Sequence, residues 1–144
     1  IIHSTFQHTS DALFDTRFTT LDGTRDIIDK VVNNIYGEFL PDATTVLLCD
    51  GEPVGFAFAN VTGGKIANIP LVAVLEQHRG TGLSVLMLQR VMNTILSNMK
   101  AGKRQFSEVN VTTETDNFGA LRMYRTVGFR EDYSYSQAYL PAEM

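Results

Sequence analysis

The sequence predicts an α+β (mixed α/β) domain whose central mixed sheet contains an antiparallel meander and is flanked by helices. Three observations carry that reading. Apolar residues recur at three- and four-residue spacing from Asp26 to Leu40, as a helix buried on one side requires. Two turn signals, Asp50-Gly51 and Thr62-Gly63-Gly64, separate three apolar runs of strand length. A helix-length segment then stands between two strand-like runs, the crossover that lets them lie parallel.

Taken in order, residues Ile1 to Leu21 carry only short apolar clusters, with a short helix expected near Ser10 to Phe18. In the first clear helix, Asp26 to Leu40, the stripe is Ile27, Ile28, Val31, Val32, Ile35 and Phe39. Thr24 is the expected cap, and Pro41 with Asp42 the expected stop. The run from Thr44 to Val61 then reads as a hairpin through Asp50-Gly51. Lys65 to Leu75 is the third strand. Pro70 removes one ladder donor from it, so an edge, a bulge or a local separation is expected there.

After the glycine turn, Val85, Leu88, Met92, Ile95 and Met99 share one helix face, and Gly102 is the expected stop. Phe106 to Thr113, with alternating Val109 and Val111, reads as a parallel strand. A helix from Asn117 to Val127 ends at Gly128, and the Tyr-rich Phe129 to Leu140 is expected to add one or two strands.

Length and composition set the class. At 144 residues, with 44% hydrophobic and 19% charged, the chain reads as one globular domain over 1–144. No apolar run is long enough to span a bilayer, so no membrane is expected as a partner. A net charge of −4 argues against nonspecific nucleic-acid binding, which needs a basic face. Lys100, Lys103 and Arg104 do cluster, and read as a solvated helix end that suits the dipole. Cys49 is alone in an apolar run, so it reads as a core thiol in an intracellular, cytoplasmic setting. Nothing pairs it with His3 or His8, and no metal is expected.

The segment Val72 to Leu88, VAVLEQHRGTGLSVLML, joins an apolar strand to a helix through two glycines. That order makes an anion site, because the first N–H groups of a helix have no intrahelical partner and the dipole adds positive potential there. A Walker loop would need Gly-Lys-Ser/Thr, and there is none. A dinucleotide fingerprint would need Gly at Val85 and an acid where Val111-Thr112-Thr113 stands. Farther on, Asn117, Ala120 and Tyr124 stand at i, i+3 and i+7 and share one helix face, kept low by Ala120. Read alone, Asn117 is an N-cap and Tyr124 a core aromatic.

Gln77-His78-Arg79-Gly80-Thr81-Gly82 after an apolar strand resembles motif A of the GNAT superfamily of N-acetyltransferases. Asn117, Ala120, Tyr124 and the Val127-Gly128-Phe129 ending are similar to that family's Asn-x-x-Ala-x-x-x-Tyr and Gly-Phe pattern. The resemblance covers roughly Val46 to Leu140 and implies the GNAT acyl-CoA N-acyltransferase fold, with acetyl-CoA as co-substrate. It implies that the backbone of Val72, Ala73 and Val74 bonds the pantetheine arm and acetyl carbonyl. The N–H groups from His78 through Arg79, Gly80, Thr81, Gly82 and Leu83 to Ser84 would take the pyrophosphate, beside Gln77. Asn117, Ala120 and Tyr124 would flank the coenzyme.

The implied reaction is direct attack by a primary amine of a small molecule or peptide, with Tyr124 as acid to the leaving thiolate and the Val74 N–H at the carbonyl. An alkylammonium has a pKa of about 10.4 and must lose a proton first. Glu76 adjoins the site as candidate base, with a water relay as its rival, because Ile66 to Val74 contains no carboxylate. Ser84 replaces the family's Gly or Ala. No clear first strand precedes the helices, which reads as truncation or as one half of a tandem chain; a homodimer is also expected. The acceptor pocket would lie between Asp26–Leu40 and a last strand bearing Tyr133, Tyr135 and Tyr139, with Glu38, Asp42 and Asp132 as acids able to attract a cation. The alternative is a GNAT-like module that binds acyl-CoA without catalysis.

Overall fold

The structure, a computed structural model, describes residues 21–136, 138 and 140. The expected helix at Ser10 to Phe18, His3, His8 and Tyr139 lie outside the described residues. Helix α1 spans Leu21–Val32 and buries Ile27 and Val31. It is shorter than the periodicity suggests because Asn34 adopts φ 66°. The Asn34 N–H then donates to the Val31 carbonyl and the Ile35 N–H to the Lys30 carbonyl, which satisfies the last turn in a left-handed cap. Ile35 is consequently 65% exposed. Thr24 sits inside α1 and is buried, so it is not the cap, and Pro41 is not the stop.

Five strands follow in one sheet: β1 (Glu38–Phe39), β2 (Thr45–Cys49), β3 (Glu52–Thr62), β4 (Ile66–Val74) and, after a helix, β5 (Glu108–Asn110). β1 and β2 both pair antiparallel with β3, β3 with β4, and β4 pairs parallel with β5. Both hairpin turns form as expected, with positive φ at Asp50 and Gly51 and at Gly63 and Gly64.

Pro70 sits in a bulge. Phe58 pairs with Leu71 and Asn60 with Asn68, so Ile69 and Pro70 together face Ala59. The bulge shifts the alternation of β4 by one. Ala67 and Ile69 before it, and Val72 and Val74 after it, all belong to the larger core cluster. Leu71 and Ala73 turn to the other face and pack with Phe56, Ile27 and Val31 beneath α1.

Helix α2 (Leu83–Lys100) covers the larger face with Met87, Leu88, Val91 and Ile95. The buried stripe is therefore displaced from the expected one, and Val85, Met92 and Met99 are only partly buried. Gly102, at φ 72°, ends the helix as expected, its N–H donating to the Met99 carbonyl and that of Lys103 to the Asn98 carbonyl. Helix α3 (Phe118–Val127) packs beside α2 and contributes Tyr124 to the same core. Residues 129–136 form no strand, so the closing strands expected from Phe129 onward are absent from that stretch. β5 likewise spans three residues rather than Phe106 to Thr113.

Candidate active site

The glycine turn joins the C-terminal end of β4 to α2. A single 3₁₀ turn, Glu76–His78, bends the chain out of the strand. The N–H of His78 donates to the Leu75 carbonyl and that of Arg79 to the Glu76 carbonyl, so these two groups are already engaged. From Gly80 to Val85 no backbone N–H has a partner among the described residues, and no side chain caps α2. Gly80 and Gly82 hold φ 74° and 82°, and no atom lies within 4 Å of where their Cβ atoms would be. Backbone donors, a helix N-terminus and open space coincide, which is the arrangement an extended anion such as a pyrophosphate requires. The residues fit that group.

Side chains brace the turn. The Thr81 hydroxyl donates to the His78 carbonyl at 2.7 Å, and Arg79 Nε to the Val74 carbonyl at 3.0 Å. Gln77 and Glu76 are exposed, while Leu83 and Ser84, at the start of α2, are partly buried.

The strand end supplies the second part. The Leu75 N–H donates to the Val54 carbonyl, so by antiparallel alternation Ala73 exchanges bonds with Phe56, while Val72 and Val74 direct theirs away from β3. On that side β5 pairs only as far as Asn68 with Asn110. Beyond Asn68 the strands part. The N–H of Val74 and both backbone groups of Val72 therefore line a cleft, whereas the backbone of Ala73 is committed to the sheet.

Helix α3 opens on Asn117, whose Oδ1 accepts the Ala120 N–H at 3.1 Å, the capping role its position suggested. The helix closes on Gly128 at φ 116°. The Phe129 N–H donates to the Tyr124 carbonyl, and the two rings meet edge to face at 5.9 Å. The Tyr-to-Gly-Phe spacing thus builds a helix stop that also fixes the Tyr124 ring. Val72, Val74, Val109, Val111 and Ala120 border the same cluster as Tyr124, so that ring belongs to the core flanking the split.

Two expectations for the acceptor pocket are corrected. Glu38 is paired with both terminal nitrogens of Arg104, and Asp42 accepts from Asn98 Nδ2 at 2.8 Å. These acids fasten the segment before β2 to the end of α2 and are not free for a cation; Arg104 is correspondingly an ion-pair partner rather than a solvated end. Asp132, Tyr133 and Tyr135 are exposed. Glu76 lies past the end of β4, eight positions beyond Asn68 and at the opposite end of the cleft from the split. A groove of about 680 Å³ between α2, Val109 and the end of α3 is lined by none of the expected site residues.

Sequence reasoning missed Asn60, Asn68 and Asn110. Register places them side by side, Asn60 opposite Asn68 and Asn68 opposite Asn110, on the α1 face of the sheet where β4 and β5 part. Each lies out of phase with its apolar neighbours, which is a signal, but the row depends on cross-strand pairing that one chain's periodicity does not reveal. Among the described residues no group of three or more His, Cys, Asp or Glu side chains could hold a metal ion. No helix among them is long and apolar enough to cross a membrane.

The model of the acetyltransferase (GNAT) family matches residues 11–129. An N-alpha-acetyltransferase of Sulfurisphaera tokodaii is 30% identical over 95 residues, covering 57% of this chain and 53% of that protein. The chain thus spans about half the length of this curated relative. Among solved structures, Ard1 from Thermoplasma volcanium aligns with a TM-score of 0.61 at 22% identity, over 76% of this chain and 66% of that one. AAC(6')-Iy in complex with the bisubstrate analog CoA-S-monomethyl-acetylneamine aligns with a TM-score of 0.56 at 17% identity, over 94% and 82%. These two likenesses are likenesses of fold.

Proposed function

From the premise that this chain belongs to the acetyltransferase (GNAT) family, we propose that it transfers an acetyl group from acetyl-CoA to a primary amine of a small molecule or peptide. One observation carries the reading. The unclaimed N–H groups from Gly80 to Val85 lead directly onto the Val74 N–H and the backbone of Val72, which are turned away from β3, and that edge leads to the split at Asn68 and Asn110. A phosphate cradle, an extended amide-binding edge and a gap follow one another along one strand. They match, in order, the pyrophosphate, the pantetheine amides and the thioester of acetyl-CoA. The names of the relatives support the amine class: one is an N-alpha-acetyltransferase, and another is the aminoglycoside N-acetyltransferase AAC(6')-Iy, in complex with a bisubstrate analog.

The thioester supplies an acetyl group whose carbonyl carbon is open to attack. The amine nitrogen forms the new C–N bond as the C–S bond breaks, the proton shed by the nitrogen passes to water, and the departing thiolate takes a proton. Tyr124 is the acid proposed for that last step, held by its contact with Phe129 on the helix beside the split. A backbone N–H of the cleft edge, at Val74 or Val72, is the donor proposed for the carbonyl oxygen as charge develops. The position of Glu76 favours a water relay over that carboxylate as the route for the first proton. Asn117 and Ala120 set the start and the low face of α3 along which the coenzyme would lie.

A second reading, an acyl-CoA-binding module without catalysis, is favoured by the absence of a carboxylate along Ile66–Val74. Two measurements separate them. Acetyl-CoA at a hundred times its dissociation constant should stabilise the fold by about 2.7 kcal/mol, and no shift in Tm would defeat both readings. Release of coenzyme A thiol across a panel of amines and free-amine peptides then distinguishes enzyme from module.

A further inference from the structure

The three asparagines in register share a property that their positions alone do not require. Asn60 Nδ2 faces the Tyr36 carbonyl at 3.5 Å. Asn68 Nδ2 donates to the Thr62 hydroxyl at 3.0 Å and faces the Ile66 carbonyl at 3.4 Å. Asn110 Nδ2 faces a Glu108 carboxylate oxygen at 3.4 Å. The Tyr36 and Ile66 carbonyls and the Glu108 carboxylate can only accept, so in each case the facing amide atom is the nitrogen. Every side-chain oxygen of the row is left over. Neither Asn68 Oδ1 nor Asn110 Oδ1 has a partner among the described residues, and Asn60 Oδ1 is buried without one in a side chain 2% exposed.

We infer that this row is the recognition site for the acceptor amine, the carbonyl oxygens of Asn68 and Asn110 receiving its N–H groups at the split between β4 and β5. Asn68 Nδ2 has a contact for each of its hydrogens while the oxygens of the row are unclaimed, so the row can receive a donor ligand; an ammonium only donates, and a neutral primary amine brings two N–H donors beside its lone pair. Asn60 closes the inner end. Its unmatched carbonyl lies in a low-dielectric interior and adds negative potential behind the row, without a formal charge. The row itself is neutral, and the Glu108 carboxylate stands exposed beside its outer end, against the Asn110 nitrogen. A carboxylate in direct contact would hold the amine in its protonated form, whereas neutral amide dipoles bind it and oppose its deprotonation less. This makes the strand without a carboxylate a workable acceptor site rather than a defective one. The inference rests on the acetyl-transfer reading for the meaning of the bound amine, and on the row itself for the binding.

The test uses the whole chain labelled with nitrogen-15, titrated with Ala-Ala-Ala and with its N-acetylated form. The free amine should move the carboxamide signals of Asn68 and Asn110, and the acetylated peptide should not. Asn68→Ala and Asn110→Ala should each weaken Ala-Ala-Ala by about tenfold, as loss of a charge-assisted hydrogen bond does, with acetyl-CoA affinity unchanged. Asn60→Leu should weaken the peptide while keeping or raising Tm, because it removes a buried unmatched carbonyl; a purely structural Asn60 would lower Tm. Equal response to both peptides, or no response to either, would overturn the inference. Amine binding without acetyl-CoA binding would uphold the row and defeat the transferase reading.

Discussion

Arg79 folds back from the glycine turn and donates from Nε to the Val74 carbonyl across 3.0 Å, tying the turn to the strand whose edge it extends. The side chain of Arg79 therefore braces the turn, while the unclaimed N–H groups beyond it are the ones proposed to take the pyrophosphate. Arg79→Ala is expected to weaken acetyl-CoA by about fivefold, the effect of roughly one hydrogen bond. Gly82→Val should weaken it by more than tenfold. At φ 82° a β-branched residue is strained by roughly 1–2 kcal/mol, and its side chain enters space that the bound phosphates would use. Calorimetric titration of both variants checks the order, and equal losses would contradict it.

The edge-to-face contact of Tyr124 with Phe129 gives the helix stop and the proposed acid a common support. Tyr124→Phe should keep Tm within a few degrees and acetyl-CoA affinity within about twofold, yet lower turnover by about tenfold or more, in the range usual for loss of a proton donor. Gly128→Ala should instead destabilise the fold by about 1 kcal/mol in urea titration, because φ 116° is open to glycine and strained for alanine. Unchanged turnover in Tyr124→Phe would remove Tyr124 from the acid role.

Glu76 is exposed and lies at the phosphate end of the cleft. Glu76→Gln is expected to leave turnover within about twofold, because a base must reach the proton it removes. A large loss would restore it as base.

Glu38 and Arg104, 66 residues apart, hold β1 to the end of α2. The hydrogen bond from Arg104 lowers the Glu38 pKa below its ordinary value. A carboxylate depressed in the folded state contributes stability above its unfolded pKa of about 4.3 and loses it as pH falls through the folded value. Glu38→Gln should therefore lower Tm slightly at pH 7. The difference from the parent should shrink below about pH 4 and in high salt, since the pair is exposed. Thermal melts at pH 7 and pH 3 check the sign.

Much of the fold was legible because local chemistry decides it. Asp50-Gly51 and Gly63-Gly64 set the hairpins, Gly102 and Gly128 end their helices, and Pro70 marks the break in β4. The end of α1 escaped because Asn34 takes a left-handed φ that glycine more often supplies, while the apolar spacing runs on through Ile35 and Phe39. The turn of the candidate site was legible for the same local reason. Its finer assignment was not: which of Val72, Ala73 and Val74 face the cleft depends on register with β3, and the asparagine row on register across three strands.

The bulge at Ile69 and Pro70 lets β4 carry one residue more than β3 offers it while the strand keeps its faces on either side. Without Pro70, Ile69 alone would oppose Ala59, Asn68 would still oppose Asn60 and Leu71 would still oppose Phe58. Leu71 and Ala73 would therefore stay beneath α1, and Val72 and Val74 beneath α2. What the deletion would remove is the local bend and added twist that an extra residue gives a strand, just where β5 parts from β4. The surplus residue serves the shape of the strand and not the assignment of its side chains.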